Sequence, residues 1–186
     1  MRIITGTARG VRLTTLEGLE TRPTPERVKE AVFSMLQFDI EGRRVLDLFA
    51  GSGQMGLEAL SRGAASAVLI DSNPQAVQII KGNAQKTKLF PACRILCTDA
   101  LTYLKNSAGK ESFDLIFLDP PYAQKLIPSL LQKIVQAGIL AKNGKILCES
   151  EQEEPAIAPT SLHLQKHVRY GRVFISLFTQ RQEEEL

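Results

Sequence analysis

The sequence predicts an α/β fold, a mostly parallel seven-stranded sheet with helices on both faces and one antiparallel strand at its end. Three observations carry this. Short apolar runs alternate with helical patterns through the middle of the chain. The clearest run, Phe113-Asp114-Leu115-Ile116-Phe117-Leu118, is apolar at nearly every position, as strands buried on both faces are. The chain then closes on two strand patterns, residues 162–168 and 173–178, that meet at Tyr170-Gly171 like a hairpin. Five strand–helix units followed by a hairpin give a parallel sheet that ends antiparallel.

In order, residues 2–16 alternate and are broken by Gly6 and Gly10, which predicts a short β-ribbon outside the main sheet. Thr24 is placed to cap a helix whose first position is Pro25, with Val28, Ala31, Val32, Met35 and Leu36 as its apolar face. Glu41-Gly42 ends this unit. Strands are expected at 44–49, 67–70, 94–97, 113–118 and 145–148, and helices at 55–60, 74–86, 100–105 and 125–137. The chain divides into an extension (1–38), a core (39–180) and an acidic tail (181–186) within one domain of 186 residues. A chain this long buries about 70% of its unfolded surface.

No run approaches the ~18 apolar residues of a membrane span, and Met1-Arg2-Ile3-Ile4 begins no signal-peptide pattern. Cys93, Cys97 and Cys148 are an odd number in apolar surroundings, which favours a reducing, cytoplasmic setting over a disulfide framework. Cys93 and Cys97 read as strand-end core residues, and His163 and His167 as polar members of an outer strand. None is assigned chemistry, and no metal site is expected. A monomer is expected. The net charge of +3 proves no partner, but Arg2, Arg9, Arg12, Arg22, Arg27 and Lys29 gather near the amino terminus. Such an arm suits a phosphate backbone, with Arg2, Arg9, Arg12, Arg22 and Lys29 neutralising phosphates.

The first strand runs into Asp47-Leu48-Phe49-Ala50-Gly51-Ser52-Gly53-Gln54-Met55-Gly56, a G-x-G-x-x-G between strand and helix, with Asp71 at the end of the next strand. Glycines there admit a ligand to the helix N-terminus, and the acid suits two ribose hydroxyls. A nicotinamide enzyme shares that fingerprint. Asp47 argues against it, because a carboxylate beside the loop repels a pyrophosphate and attracts a cation. S-adenosylmethionine carries an ammonium, a sulfonium and the same adenosine. The loop residues Phe49, Ala50, Gly51 and Gly53, then Asp71-Ser72 and Asp99-Ala100, form the expected pocket, with Asp99 suited to the adenine amine. Asp71-Ser72 and Thr98-Asp99 are also good helix caps.

Asp119-Pro120-Pro121-Tyr122 closes the strand 113–118. Two prolines stop the strand and leave a stiff rim at its carboxyl end. That rim offers a carboxylate, a proline carbonyl and an aromatic face, the parts needed to hold a flat base by its exocyclic amine.

With Asp-Pro-Pro-Tyr after the fourth strand and Leu46-Asp47-Leu48-Phe49-Ala50-Gly51-Ser52-Gly53 after the first, the chain resembles amino-group methyltransferases. Arg2-Ile3-Ile4-x-Gly6, Arg9-Gly10, Thr21-Arg22-Pro23-Thr24-x-Glu26-Arg27-Val28-Lys29-Glu30 and Gly56-Leu57-Glu58-Ala59-Leu60-Ser61-Arg62-Gly63 look like the RsmD family. That resemblance spans nearly the whole chain. It implies a Rossmann-like class I methyltransferase sheet, S-adenosyl-L-methionine as cofactor, and a guanine of 16S ribosomal RNA in the small ribosomal subunit as substrate. Gln54-Met55 replace a usual small residue and Leu, Glu26 a usual Asp, and Asp71 a commoner Glu. By the same resemblance, Arg22 and Arg27 face the substrate, against either phosphate or the base; Pro121 on the rim and Arg9 and Arg12 of the basic arm are expected on the substrate side as well.

The expected chemistry holds both amine protons on the Asp119 carboxylate and the Pro120 carbonyl, with Tyr122 stacked on a flipped-out base. The alternatives are an adenine methyltransferase on DNA, a nicotinamide oxidoreductase, for which no hydride-transfer acid–base residue is found, and a non-catalytic RNA-binding module, which needs no four acids.

Overall fold

A computed structural model describes residues 1–16, 26–121 and 123–181. The elements, in order, are α1 (Glu26–Met35), β1 (Arg44–Asp47), α2 (Gln54–Ser61), β2 (Ser66–Asp71), α3 (Pro74–Lys86), a 3₁₀ turn (Phe90–Ala92), β3 (Cys93–Cys97), α4 (Ala100–Ser107), β4 (Phe113–Leu118), α5 (Ala123–Ala137), β5 (Leu140–Ser150), β6 (Leu162–Tyr170) and β7 (Val173–Gln180). They form one seven-stranded sheet ordered β3-β2-β1-β4-β5-β7-β6. The first five strands are parallel, and β7 is antiparallel to both β5 and β6. The antiparallel strand therefore lies inside the sheet, one place from the edge. The hairpin turn, with Gly171 at φ 66°, folds β6 back along its outer side.

Each central strand feeds two cores, which explains the unbroken apolar runs. Val45, Leu69, Leu115, Phe117 and Leu147 face α1, α2 and α3. Their neighbours Leu46, Ile70, Ile116, Leu118, Ile146 and Cys148 face α4 and α5. All eight residues of α2 are buried. Gly56 lets that helix lie against β2, since a Cβ there would stand 2.1 Å from Leu69 Cδ2.

The amino-terminal ribbon is narrower than expected, with a single bridge between Arg2 and Arg12, and it packs on α2. Ile3, Ala8 and Leu13 join Val28, Val32 and Leu57 in one core, so residues 1–16 and α1 are built into the body of the domain. Gly6, at φ 86°, must be glycine, because a Cβ would overlap the Ser61 carbonyl at 1.7 Å. Thr24 and Pro25, the expected helix start, lie outside the described residues.

Lys29 corrects an expectation. It is fully buried in α1, 3.3 Å from Glu58, and donates to the Arg2 carbonyl at 2.6 Å, so it reaches no phosphate. Burial lowers its pKa and Glu58 opposes that shift. Arg2 pairs with Glu26 at 3.3 Å. Cys97 is a second correction. It ends β3, the edge strand opposite β6, and is exposed rather than in the core. Cys93 is half-buried, with its thiol pushed up to about 12 by burial. His167 lies on the edge strand β6, its ring nitrogens within 2.8 Å of Ser176 Oγ and 2.9 Å of the Glu153 carbonyl. No helix among the described residues is long and apolar enough to cross a membrane.

Candidate active site

The carboxyl ends of β1, β2, β3, β4 and β5 open into one cleft of about 740 Å³, within the size range of small-molecule sites. It lies where the sheet order reverses, with β1 between β2 and β4, the place at which open α/β sheets bind ligands. Asp47, Phe49, Ala50, Gly51, Asp71, Ser72, Asp99, Ala100, Asp119, Pro120 and Pro121 all line it.

Local geometry explains the loop after β1. Asp71 accepts from the Gly51 N–H at 2.9 Å through one carboxylate oxygen and from the Asn73 N–H at 2.9 Å through the other. The acid thus holds the loop, with lone pairs to spare for a ligand. Gly51, at φ 55°, has open space where a side chain would stand, which makes room for a ligand against the backbone. Gly53 differs. It is the α2 cap at φ 81°, and a Cβ there would meet Ile80 and Leu57, so it faces the core and does not line the cleft. Asp99 caps α4 through the Thr102 N–H at 2.9 Å, and hydrogen bonding from Thr102, its side chain first and then this N–H, lowers its pKa.

Asp47 is 3% exposed and accepts from the Phe49 N–H at 3.3 Å. Burial raises its pKa to about 7; that N–H pulls it down and the Asp71 charge pushes it up. Asp119 opens to solvent through the cleft but has protein around its other sides. This partial desolvation, then the negative charges of Glu149 and Asp47, raises its pKa well above the usual carboxylate value. Pro120 behind it is buried and Pro121 is exposed.

The remaining expected residues do not reach the cleft or are not described. Arg9 and Arg12 are exposed on the amino-terminal ribbon, outside the lining. Arg27 is exposed on α1, and its Nη2 would stand 2.7 Å from a Cβ on Gly171. It therefore sits by the hairpin tip, next to Val173 on the cleft rim. Tyr122 and Arg22 lie outside the described residues.

Several lining residues were not expected. Met1, Thr15 and Leu16 form a wall from the amino-terminal segment, and Lys125, Glu149, Ser150, Glu151 and Gln152 add another. Asn83, buried on α3, joins wall to loop. It accepts from the Thr14 N–H at 2.8 Å and donates to the Thr14 carbonyl at 2.9 Å and the Ser52 carbonyl at 2.8 Å. Glu149 had a usable signal, since it directly follows the expected strand 145–148 as Asp119 follows 113–118. Met1, Thr15, Leu16 and Asn83 had none, because their contacts span the chain.

The cleft is acidic, with Asp47, Asp71, Asp99, Asp119, Glu149 and Glu151 against one lysine, Lys125, among the described lining residues. Such a lining suits a cationic ligand and repels phosphates. Gln54, 8% exposed in the same wall, has an amide oxygen with no hydrogen-bond partner among the described residues. Acids, an unmet acceptor and the open face of Gly51 fit S-adenosylmethionine, an adenosine that carries an ammonium and a sulfonium, better than a dinucleotide.

Known proteins resemble this chain in sequence and in fold. The family described as conserved hypothetical protein 95 matches residues 1–179. Ribosomal RNA small subunit methyltransferase D of Haemophilus influenzae is 34% identical over 179 residues, covering 96% of this chain and 93% of that protein. The protein of the same name in Escherichia coli K12 is 36% identical over 169 residues, 89% of this chain and 84% of its own. The solved Escherichia coli protein yhhF superposes with a TM-score of 0.87 at 30% identity, covering 98% of this chain and 99% of that one. The chain belongs to the conserved hypothetical protein 95 family, the RsmD family of methyltransferases.

Proposed function

We propose that this protein methylates the exocyclic N2 amine of a guanine in bacterial 16S ribosomal RNA, acting as a cytoplasmic monomer on a small-subunit particle. The observation that carries the reading is Asp119-Pro120-Pro121 at the end of β4, opening onto the acid-lined cleft. S-adenosylmethionine supplies an electrophilic methyl on a sulfonium. Asp47, Asp71, Asp99 and the loop at Phe49, Ala50 and Gly51 bind and orient it.

The amine of guanine is a poor nucleophile because its lone pair is delocalised into the ring. Asp119 and the Pro120 carbonyl accept its two hydrogens, draw the nitrogen toward tetrahedral geometry and aim its lone pair. Transfer then needs positioning and electrostatics rather than a strong base. The raised proton affinity of Asp119 also gives the departing amine proton somewhere to go. Tyr122 stacks on the base, and Arg9, Arg12, Arg22 and Arg27 meet the RNA around it, with Pro121 at the rim.

Incubation with methyl-labelled S-adenosylmethionine and either unmodified small subunits or duplex DNA tests the reading. Label in one guanine of 16S RNA, with none in DNA, is expected. Label in DNA adenine would overturn it in favour of an adenine methyltransferase. Label in neither, with intact cofactor binding, would overturn the substrate.

A further inference from the structure

A second carboxylate stands beside Asp119. β4 and β5 are parallel neighbours with Leu118 paired to Cys148. One residue further on, Asp119 leaves β4 at the level of Glu149, which is still in β5, with the strands about 4.8 Å apart. Phe117 and Leu147, two residues earlier, both pack on the α1 face of the sheet. Strand alternation puts Asp119 and Glu149 on that face too, and both line the cleft. Glu149 is the nearby charge that acts most on Asp119. Two carboxylates side by side repel each other, a cost that a ligand with several N–H groups would offset.

Guanine has that edge. Its N1 carries a hydrogen directly beside the N2 amine, so N1–H and one amine N–H point the same way while the second amine N–H points toward the N3 side. Adenine also has an amine, but the N1 beside it is a bare acceptor. We propose that Glu149 selects guanine, its carboxylate accepting the N1–H while Asp119 and the Pro120 carbonyl hold the amine. An adenine in the same pose sets a lone pair against a carboxylate, an unmet acceptor and a repulsion together. An ionised carboxylate has about four lone-pair sites, so Glu149 can serve the base and keep its contact within the protein. This inference rests on the guanine-amine reading above and names the residue that enforces it.

The test uses the full chain, labelled S-adenosylmethionine, and small subunits carrying either guanine or adenine at the position the wild-type protein labels. Sites built around such an N–H reject the analogue that lacks it by roughly 10⁴-fold, so the wild type should label guanine particles and essentially ignore adenine ones. In Glu149→Gln the amide can turn its NH2 toward adenine N1. Its guanine rate should fall roughly 10- to 100-fold and the guanine-to-adenine ratio at least about tenfold, with cofactor affinity by calorimetry unchanged. Glu149→Asp keeps the charge, so it should lose guanine rate and still exclude adenine; it serves if the glutamine variant does not fold. An unchanged rate and ratio, a loss of rate at constant ratio, or a parallel loss of cofactor affinity would overturn the role of Glu149 alone. A wild-type protein that prefers adenine particles would overturn the guanine reading, and this inference with it.

Discussion

Asp47 is a carboxyl group that burial holds near neutrality, with a pKa of about 7. Its folded pKa lies above its unfolded value of 3.8, so the folded state keeps a proton that the unfolded chain releases. That contribution is complete below about pH 4 and is lost as pH rises to about 7, a change on the order of 4 kcal/mol. Asp47→Asn should therefore stabilise the cofactor-free protein at pH 8, with the gain disappearing near pH 4. Denaturant titrations at both pH values check this, and equal stabilities at pH 8 would refute it. On the proposed site, cofactor affinity should also weaken below about pH 7, because a cation then binds only after Asp47 gives up its proton. Calorimetry in buffers of different ionisation enthalpy would read that proton directly. Asp119 calls for the opposite pattern. If it orients the amine, Asp119→Ala should slow single-turnover methyl transfer by roughly 10²–10³ while cofactor affinity barely moves. Asp119→Asn should fall between Ala and wild type. An Ala variant of normal rate would remove Asp119 from the chemistry, and one that loses cofactor binding would move it into the cofactor pocket.

The amino-terminal ribbon and α2 act as one unit because of a buried acid. Glu58 accepts from the Ile4 N–H at 2.8 Å, the Thr5 N–H at 3.0 Å and Arg62 Nε at 2.9 Å, with Lys29 at 3.3 Å. Ser61 continues the seam, accepting from the Ala8 N–H at 3.0 Å and donating to the Thr5 carbonyl at 2.6 Å. These bonds hold the segment whose ends, Met1 and Thr15-Leu16, wall the cleft. Asn83 is the link from that wall to the loop after β1. Asn83→Ala leaves the Thr14 and Ser52 backbone groups without their partner, which should cost about 1–3 kcal/mol of stability. Since the loop is held less firmly, cofactor affinity should fall in parallel. Thermal melting and a cofactor titration check the pair of effects, and an affinity that stays put while stability drops would confine Asn83 to the fold.

The molecule separates its charges. Acids line the cleft at the carboxyl end of the sheet, and exposed arginines lie outside it, Arg9 and Arg12 on the ribbon and Arg27 by the hairpin tip. A cationic cofactor is drawn inward, whereas a phosphate chain is favoured only around the rim. Binding to small-subunit RNA should weaken with salt, and each lost phosphate contact should reduce the log–log slope by about 0.7–0.9. Arg9→Ala and Arg12→Ala should each lower the slope. Lys29→Ala should instead destabilise the fold by about 1–3 kcal/mol, because Glu58, still held by Arg62, loses one buried partner and the Arg2 carbonyl loses its donor. Filter binding across a salt series, beside melting curves, separates the two classes. Arginine variants with wild-type slope and affinity would make the ribbon an ordinary solvated face.

Strand positions were legible because β4 is an apolar run closed by two prolines, and the acids at strand ends because Asp47 and Asp71 close β1 and β2 while Asp99 and Asp119 come within two residues after β3 and β4. These are local facts: periodicity, a chain-breaking residue and an adjacent side chain all lie within about ten positions. The order β3-β2-β1-β4-β5-β7-β6 follows from short parallel connections, except that β7 enters between β5 and β6, which a hairpin pattern alone leaves open. Tertiary structure alone decided that Lys29 is buried, that Gly53 turns toward Ile80, and that Asn83 reaches Thr14 across 69 positions. A basic or amide side chain reads the same on either face of a helix. Only the packing of distant segments determines whether it meets water, a carboxylate or a backbone that has lost its other partners.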